Sequence, residues 1–453
     1  MQHTHRAYIP GETIAAVATA PGEGGIAVIR ISGKEAIALA AEVFTGSLLT
    51  CPTHTVRYGK IIDAEGKCID HAIALVMRAP KSYTGEDTVE IHCHGGSLIT
   101  QRVLDTILKA GARAAGPGEF TLRAFLSGKI DLAQAEAVQQ LIGAKNQLAL
   151  HSAEKQLEGR LSKKILQFQE ALVDTAAILE AWVDFPEEDL EFASMNEVVD
   201  HLRKIQGQMQ DLLATFQEGK IIHHGISLCL AGPPNAGKSS LMNALLGKDR
   251  AIVTAIAGTT RDLLEEDLRL GDLHFRIIDT AGIRETEEVI EQEGIRRTKD
   301  AMQQADLILL VLDSTQPLCA EAGDLLASSP PHKTLVVWNK MDLLSDVASD
   351  KLHISAKTGD GIEALKNAIH QLIWKKGPPS KEEIVITSAR HYQSLGQAIS
   401  ALEALIDGLL TGISPEFVSL EMRKVLSELG TIVGADVTED ILSAIFSKFC
   451  IGK

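Results

Sequence analysis

Aromatic residues are scarce in this chain: Trp, Tyr and Phe together make up 4% of its 453 residues. Its cores must therefore be built from Leu, Ile, Val and Ala, and a hydrophobic content of 45% is ample for that. A paired-cysteine motif is also missing. Cys51, Cys68, Cys93, Cys229, Cys319 and Cys450 are scattered and form no C-x-x-C, which argues against a disulfide framework and fits a reducing, cytoplasmic setting. Long apolar runs are absent too. Stretches such as Leu307 to Leu312 are strand-sized, and no basic segment followed by an apolar one opens the chain, so neither a signal peptide nor a membrane span is expected. Finally, there is no basic excess. Sixty acidic against 44 basic residues give a net charge of -16, which argues against holding nucleic acid mainly through the chain's own phosphate contacts. An RNA substrate would need a local basic patch or a basic partner. At roughly 100–200 residues per domain, the length suggests about three domains.

What is present is led by Gly232-Pro233-Pro234-Asn235-Ala236-Gly237-Lys238-Ser239. It follows Ile226 to Ala231, which reads as a buried strand, and precedes Ser240 to Leu246, which reads as a helix. Strand, G-x-x-x-x-G-K-S loop and helix together make a phosphate loop. Its glycines let backbone N–H groups approach an anion, Lys238 adds a point charge, and Ser239 offers a hydroxyl to Mg2+. Residues Asn235, Ala236, Gly237, Lys238, Ser239 and Ser240 would therefore meet the phosphates.

Further signals follow in the order expected of a GTPase. Gly258-Thr259-Thr260-Arg261-Asp262 carries a hydroxyl, at Thr260, that can complete a Mg2+ shell. Asp279-Thr280-Ala281-Gly282 closes a strand, with a carboxylate for a Mg2+-bound water and a Gly282 N–H for a γ-phosphate. Asn339-Lys340-Met341-Asp342 ends another strand. The Asp342 carboxylate can accept two hydrogen bonds from guanine that adenine cannot donate. Ser355-Ala356-Lys357 ends a third, where a backbone N–H can meet guanine O6. The Gln that orients water in Ras-like enzymes is replaced by Ile283. Arg261 and Arg284 are arginine-finger candidates by sequence proximity only. The acidic run Glu285, Glu287, Glu288, Glu291 and Glu293 can supply a substitute carboxylate, although most of such a run is ordinarily a solvated loop.

Residues 1–125 mix strands (Ile26 to Ile31, Ala72 to Met77, Thr88 to His92) with helices (Lys34 to Phe44, Ser97 to Lys109), an α+β pattern. Gly22-Glu23-Gly24-Gly25 lacks a lysine and precedes a strand, so it is a tight turn rather than a second phosphate loop. His92 and His94 share a strand face, but no third or fourth metal ligand is evident, so a polar strand end is preferred. Residues 126–221 and 379–453 have helical spacing. Asp131 to Gln134 is a capping box, and Pro186, Gly219 and Gly430 are expected helix stops. Helices are also expected over Asn196 to Glu218, Lys381 to Leu410, from Ser414-Pro415-Glu416 and from Thr438-Glu439-Asp440. The economical architecture is multidomain α/β: a Ras-like P-loop G domain, residues 222–378, inserted in an all-helical domain of residues 126–221 and 379–453, preceded by the α+β domain.

Residues Thr254 to Asp262, Asp279 to Arg284 and above all Phe449-Cys450-Ile451-Gly452-Lys453 resemble the MnmE (TrmE) family of tRNA-modification GTPases. Pro21 to Ala27, Tyr83 to Asp87 and Pro117 to Phe125 are also similar to its pattern, so the resemblance spans the chain. It implies that the N-terminal domain dimerises the chain and binds a tetrahydrofolate derivative (a 5,10-methylene or 5-formyl species) through Arg30, Glu90, Lys129 and Lys453. It implies C5 modification of a tRNA wobble uridine, to aminomethyl or carboxymethylaminomethyl, together with the partner MnmG (GidA), which would supply most of the basic surface. By the same resemblance Asn235, with groups around Thr254, Ile256 and Thr259, would bind K+, and Ser239 and Thr260 would bind Mg2+. Thr254 to Thr260, including Ala255, Ala257 and Gly258, would line the GTP. Glu291 would orient water, joining Lys238 and Thr260 as catalytic residues, and Cys450 matches a cysteine proposed to matter for modification. Pro234 departs from the family's usual pair before the Asn, but Asn235 and Gly237 keep their spacing. The alternative is an Era-like or Der-like ribosome-assembly GTPase. That reading expects a basic RNA-binding module after the G domain, where this chain is helical.

Overall fold

The computed structural model describes residues 11–184, 194–247, 267–278, 291–346, 351–374, 377, 379–380, 382–412 and 414–453. The chain forms two units, one of residues 1–142, 154–210 and 393–453, the other of residues 143–153 and 211–392.

The first unit contains β1 (Ile14–Val17), β2 (Ile26–Ser32), β3 (Thr55–Ile62), β4 (Cys68–Met77), β5 (Thr88–His94) and β6 (Arg113–Ala114). They form one sheet in the order β3-β4-β5-β2-β1-β6. Neighbours run antiparallel except β1 and β6. Alternate residues bury one face: Ala27, Ile29 and Ile31 of β2, and Val89, Ile91 and Cys93 of β5, join one apolar cluster. Helices Ala36–Val43 and Ser97–Lys109 add Ile37, Leu39, Val103 and Ile107 to it. The opposite face keeps its polar side chains, with Arg30 in register with Glu90 and Val28 with His92. Among the helices of this unit, Arg160–Asp184 packs along Pro415–Val433. Gln169 Nε2 donates to the Leu426 carbonyl across that seam at 3.1 Å.

The second unit is organised by β7 (Ile226–Ala231), β8 (Asp267–Leu270), β9 (Leu273–Ile278), β10 (Leu307–Asp313) and β11 (Thr334–Asn339), in the order β11-β10-β7-β9-β8. Only β8 runs antiparallel to its neighbour. β7 is buried at every position, as a parallel strand covered on both faces must be. Its Leu228 and Leu230, with Leu309 and Val311, face one cluster; Cys229 and Ala231, with Ile308, Leu310 and Leu312, face another. In sheets of this kind ligands bind beyond the carboxyl ends of the strands. The loops after β7, β10 and β11 all leave there.

Several local expectations are met. The capping box forms as drawn: the Gln134 N–H donates to Asp131 Oδ1 at 2.9 Å, and the Asp131 N–H donates to Gln134 Oε1 at 3.0 Å. Thr438 caps the helix Glu439–Phe446. Others need correction. Gly219 does not stop a helix but lies inside Phe216–His224, where a Cβ would stand 2.0 Å from the Ile386 carbonyl oxygen, so its smallness serves close approach. Gly430 likewise sits within Pro415–Val433, and the stop falls at Gly434, whose φ is +93°. The pattern after Asp131 is divided into Leu132–Gly143, Gln147–Leu157 and Arg160–Asp184. The helix expected from Lys381 begins only at Ala389. Pro186 lies outside the described residues.

Candidate functional site

The phosphate loop bends where its sequence permits. Gly232, Asn235 and Gly237 take φ of +147°, +60° and +93°, turning the chain from β7 into the helix Lys238–Leu246. No other residue fits at the two glycines. A Cβ on Gly232 would lie 2.1 Å from the Val311 carbonyl oxygen, and one on Gly237 would lie 2.2 Å from Asn339 Nδ2. Lys238 Nζ donates to the Gly232 and Pro233 carbonyls, each at 2.9 Å, so the cation folds back over the loop that its own helix starts. Ser239 and Ser240 occupy the first turn of that helix, where backbone donors lack helical partners.

Buried Asn339, at the end of β11, joins two parts of the site. Its Nδ2 donates to the Ala236 carbonyl at 2.9 Å, and its Oδ1 accepts the Ala356 N–H at 3.0 Å. One side chain therefore laces the phosphate loop to the loop of Ser355, Ala356 and Lys357. Ser355 Oγ donates to Asp342 Oδ1 at 2.7 Å and orients that exposed carboxylate. Lys340 stands between them in the left-handed region, φ +68°. Its Nζ is 2.6 Å from Asp313 Oδ2. Burial pushes the Asp313 carboxyl up, but hydrogen bonds from Lys340 and Thr315 outweigh it and hold Asp313 below the usual carboxylate range. Sequence reasoning missed Asp313. The available signal was its place at the end of the apolar run of β10, where it is in register with Asn339.

Thr254, Ala255, Ile256, Ala257, Gly258, Thr259, Thr260, Asp279, Thr280, Ala281 and Gly282 lie outside the described residues, as do Arg261, Ile283, Arg284, Glu285, Glu287 and Glu288. Glu291 begins the helix Glu291–Gln304, and its side chain, like that of Glu293, is outside the description.

A second group of expected residues lies in the first unit. Arg30 Nε donates to Glu90 Oε1 at 2.8 Å across β2 and β5. The guanidinium is 5.8 Å from the Tyr83 ring centre and 5.6 Å from that of Phe120, within cation–π range. Burial pushes the Tyr83 phenol up. Lys453 arrives at the same place through its backbone: a main-chain oxygen of Lys453 accepts the Phe120 N–H at 3.2 Å. The Gly118 N–H donates to the Cys450 carbonyl at 3.3 Å, and Pro117 bridges to Ile451. Arg30, paired with Glu90, and the backbone of Lys453 thus both meet Phe120, while Lys129 sends its Nζ to the Pro80 carbonyl at 2.9 Å. The two histidines of β5 are engaged separately: His94 Nδ1 is 2.8 Å from Asp70 Oδ1, and His92 Nε2 is 3.6 Å from Glu90 Oε2.

The loop that receives residues 450–453 is held from beneath by a network no motif announced. Glu119 accepts the Gly116 N–H at 2.8 Å, Arg113 Nη2 at 2.6 Å and Arg123 Nη2 at 3.0 Å. Burial raises the Glu119 carboxyl, but Arg113, the Gly116 amide and Arg123 together bring it below its ordinary value. Arg123, 1% exposed, also donates to Glu86 at 2.9 Å.

A phosphate loop tied to an Asn-Lys-x-Asp loop by one buried amide lets triphosphate and guanine be gripped together. The second unit is accordingly that of a GTP-hydrolysing P-loop protein. A model of the MnmE helical domain matches residues 132–450, and one of the GTP-binding protein TrmE N-terminus matches residues 13–129. The chain is 57% identical over 458 residues to the tRNA modification GTPase MnmE of Protochlamydia amoebophila (strain UWE25), covering 100% of both. It is 43% identical over 452 residues to the protein of that name from Geobacter sulfurreducens, covering 98% of this chain and 99% of that one. The G domain of the T. maritima FeoB iron transporter aligns with 32% of this chain and 98% of its own, at 24% identity and a TM-score of 0.25. The chain belongs to the MnmE family.

Proposed function

We propose that this GTP hydrolase works with an MnmG-type partner, in the cytoplasm, to modify C5 of the wobble uridine of tRNA, adding an aminomethyl or carboxymethylaminomethyl group. The observation that carries this reading is 57% identity, over the whole chain, to a relative named as a tRNA modification GTPase. The net charge of -16 favours a division of labour in which the partner holds most of the tRNA phosphate. In this reading the G domain is inserted in the helical domain, and two copies of the chain pair through the N-terminal α+β domain.

In the G domain, Ser239 and Thr260 are assigned to Mg2+ and Lys238 to the phosphates. Asn235 is assigned to K+, with groups around Thr254, Ile256 and Thr259. Exposed Asn235, at φ +60°, fits this assignment because it stands at a loop bend with its amide open to solvent. A monovalent cation supplies the charge stabilisation that an arginine finger gives elsewhere. Glu291 is assigned to orienting the attacking water, since Ile283 cannot. In the first unit, Arg30, Glu90, Lys129 and Lys453 are assigned to a tetrahydrofolate one-carbon donor. The half-buried Arg30–Glu90 pair beside the Tyr83 and Phe120 rings suits a flat, polar-edged heterocycle. Cys450, exposed and next to this group, is assigned to the modification chemistry.

Mass spectrometry of tRNA nucleosides from cells lacking this chain tests the reading. Loss of the wobble modification is expected, and intact modification overturns it. GTP turnover in KCl against NaCl tests the cation assignment, where equal rates would remove Asn235 from it. Glu291→Ala is expected to lower turnover with little loss of GTP binding.

A further inference from the structure

We propose that Asp313 is a specificity-determining residue of the guanine site, acting by keeping the Lys340 ammonium away from Asp342. This role rests on Asp342 being the guanine acceptor. Lys340 and Asp342 belong to one tight turn: Lys340 is left-handed at φ +68°, and residues Met341–Leu343 form a single helical turn directly after it. A lysine stem is long and flexible enough to reach a carboxylate two residues away. Such a pairing would neutralise the group that must accept two hydrogen bonds from the base.

Three observations show the alternative partner built in place. Asp313 ends β10 in register with Asn339, and the Ser314 N–H donates to the Asn339 carbonyl at 2.9 Å, so the two strand ends are locked side by side. Asp313 Oδ1 is held by the Thr315 N–H at 2.9 Å and Thr315 Oγ1 at 2.7 Å, which leaves Oδ2 turned to Lys340 Nζ at 2.6 Å. Asp342 in turn takes its hydrogen bond from neutral Ser355 Oγ, which orients the carboxylate without cancelling its charge. The two carboxylates are thus given different tasks: Asp313 takes the cation, and Asp342 is left for the base. Without Asp313, the carboxylate left in the same turn as Lys340 is Asp342.

The test is a double-mutant cycle read by equilibrium binding of GTP and by steady-state turnover. Asp313→Asn keeps the Thr315 contacts and removes the charge. Its GTP affinity should fall about tenfold, the size of one charge-assisted pairing, and the loss should appear in KM rather than in kcat. In a Lys340→Met background the same substitution should cost little further, because no ammonium is left to stray. Asp313→Glu, which restores the charge, should recover part of the loss. An equal loss in both backgrounds overturns the proposal, as does no loss in either. A fall in kcat with KM unchanged, the mark of a partly unfolded preparation or a purely structural role, also overturns it. Asp342→Ala is the control for the underlying reading. If its GTP affinity matches that of the unaltered chain, the guanine assignment fails and this proposal fails with it; if its affinity falls while Asp313→Asn binds normally, only the role of Asp313 fails.

Discussion

A main-chain oxygen of Lys453 accepts the Phe120 N–H at 3.2 Å, joining residues 333 positions apart in sequence, and the Phe120 ring lies beside the Arg30 of the Arg30–Glu90 pair. This seat leaves no room at Gly452. Its φ is +95°, and a Cβ there would stand 2.2 Å from the Val17 carbonyl oxygen. Gly452→Val should therefore unseat residues 450–453. Hydrogen exchange is expected to quicken at the Gly118 and Phe120 amides, and a folate analogue to bind more weakly. Unchanged protection at both amides would count against the seat.

Glu119→Gln removes the anion between two guanidinium groups, Arg113 and buried Arg123. Breaking one partner of a buried charge cluster costs about 3–5 kcal/mol. The expected outcome is a lower denaturant midpoint with an unchanged m-value, measured by urea titration. A loss under about 1 kcal/mol would put the network in the class of exposed ion pairs.

Asn339→Ala would leave the Ala236 carbonyl and the Ala356 N–H without this shared partner. An unmet buried hydrogen bond costs about 1–3 kcal/mol. Because both contacts lie on loops assigned to GTP, the loss should be read in nucleotide affinity as well as in melting temperature. Isothermal titration with GTP checks it; weakened melting with unchanged affinity would separate the lacing from binding.

The acid side of the stability profile should carry a histidine signature. His223, His224 and His274 all lie below the ordinary 6.5, chiefly through burial, with neighbouring His224, Arg276, Lys220 and Lys145 opposing protonation further. Asp267, 3.1 Å from His274 Nε2, pulls His274 the other way without reversing the shift. Each folded pKa is below the unfolded one, so the unfolded chain binds more protons in the interval between them. Stability is therefore complete above 6.5 and falls as the pH drops through that interval. Melting curves between about pH 7.5 and about pH 5.5 should show the second unit losing stability, and His274→Gln should flatten part of the slope.

How much of this was legible in the sequence depended on whether a feature was local. The phosphate loop, the capping box of Asp131 and Gln134 and the cap at Thr438 use neighbours a few positions apart, and their spacing spells out their geometry. Arg113–Glu12, Arg123–Glu86 and Lys340–Asp313 join residues that only strand order and register bring together. Nothing in composition or periodicity marks such pairs. The misplaced helix stops have a related cause. Gly219 and Gly430 read as breakers because glycine usually is one, but the close Ile386 carbonyl that explains Gly219 belongs to a segment more than 160 positions away. The assignment of Asn235 to a cation, by contrast, rests on resemblance alone, since a loop asparagine carries no pattern of its own.

The seating of Gly452 against Val17 has a consequence for how the protein is made. β1 and the Gly116–Phe120 loop meet residues more than 300 positions further along the chain: Gly452 lies against Val17, Phe446 and Phe449 against Gly118, and Lys453 against Phe120. During synthesis these contacts cannot form until the segments between them have been made. Closing the seat is thus a late event in the assembly of the first unit, and a chain stopped short of Phe449 would lack every one of these contacts except that of Phe446.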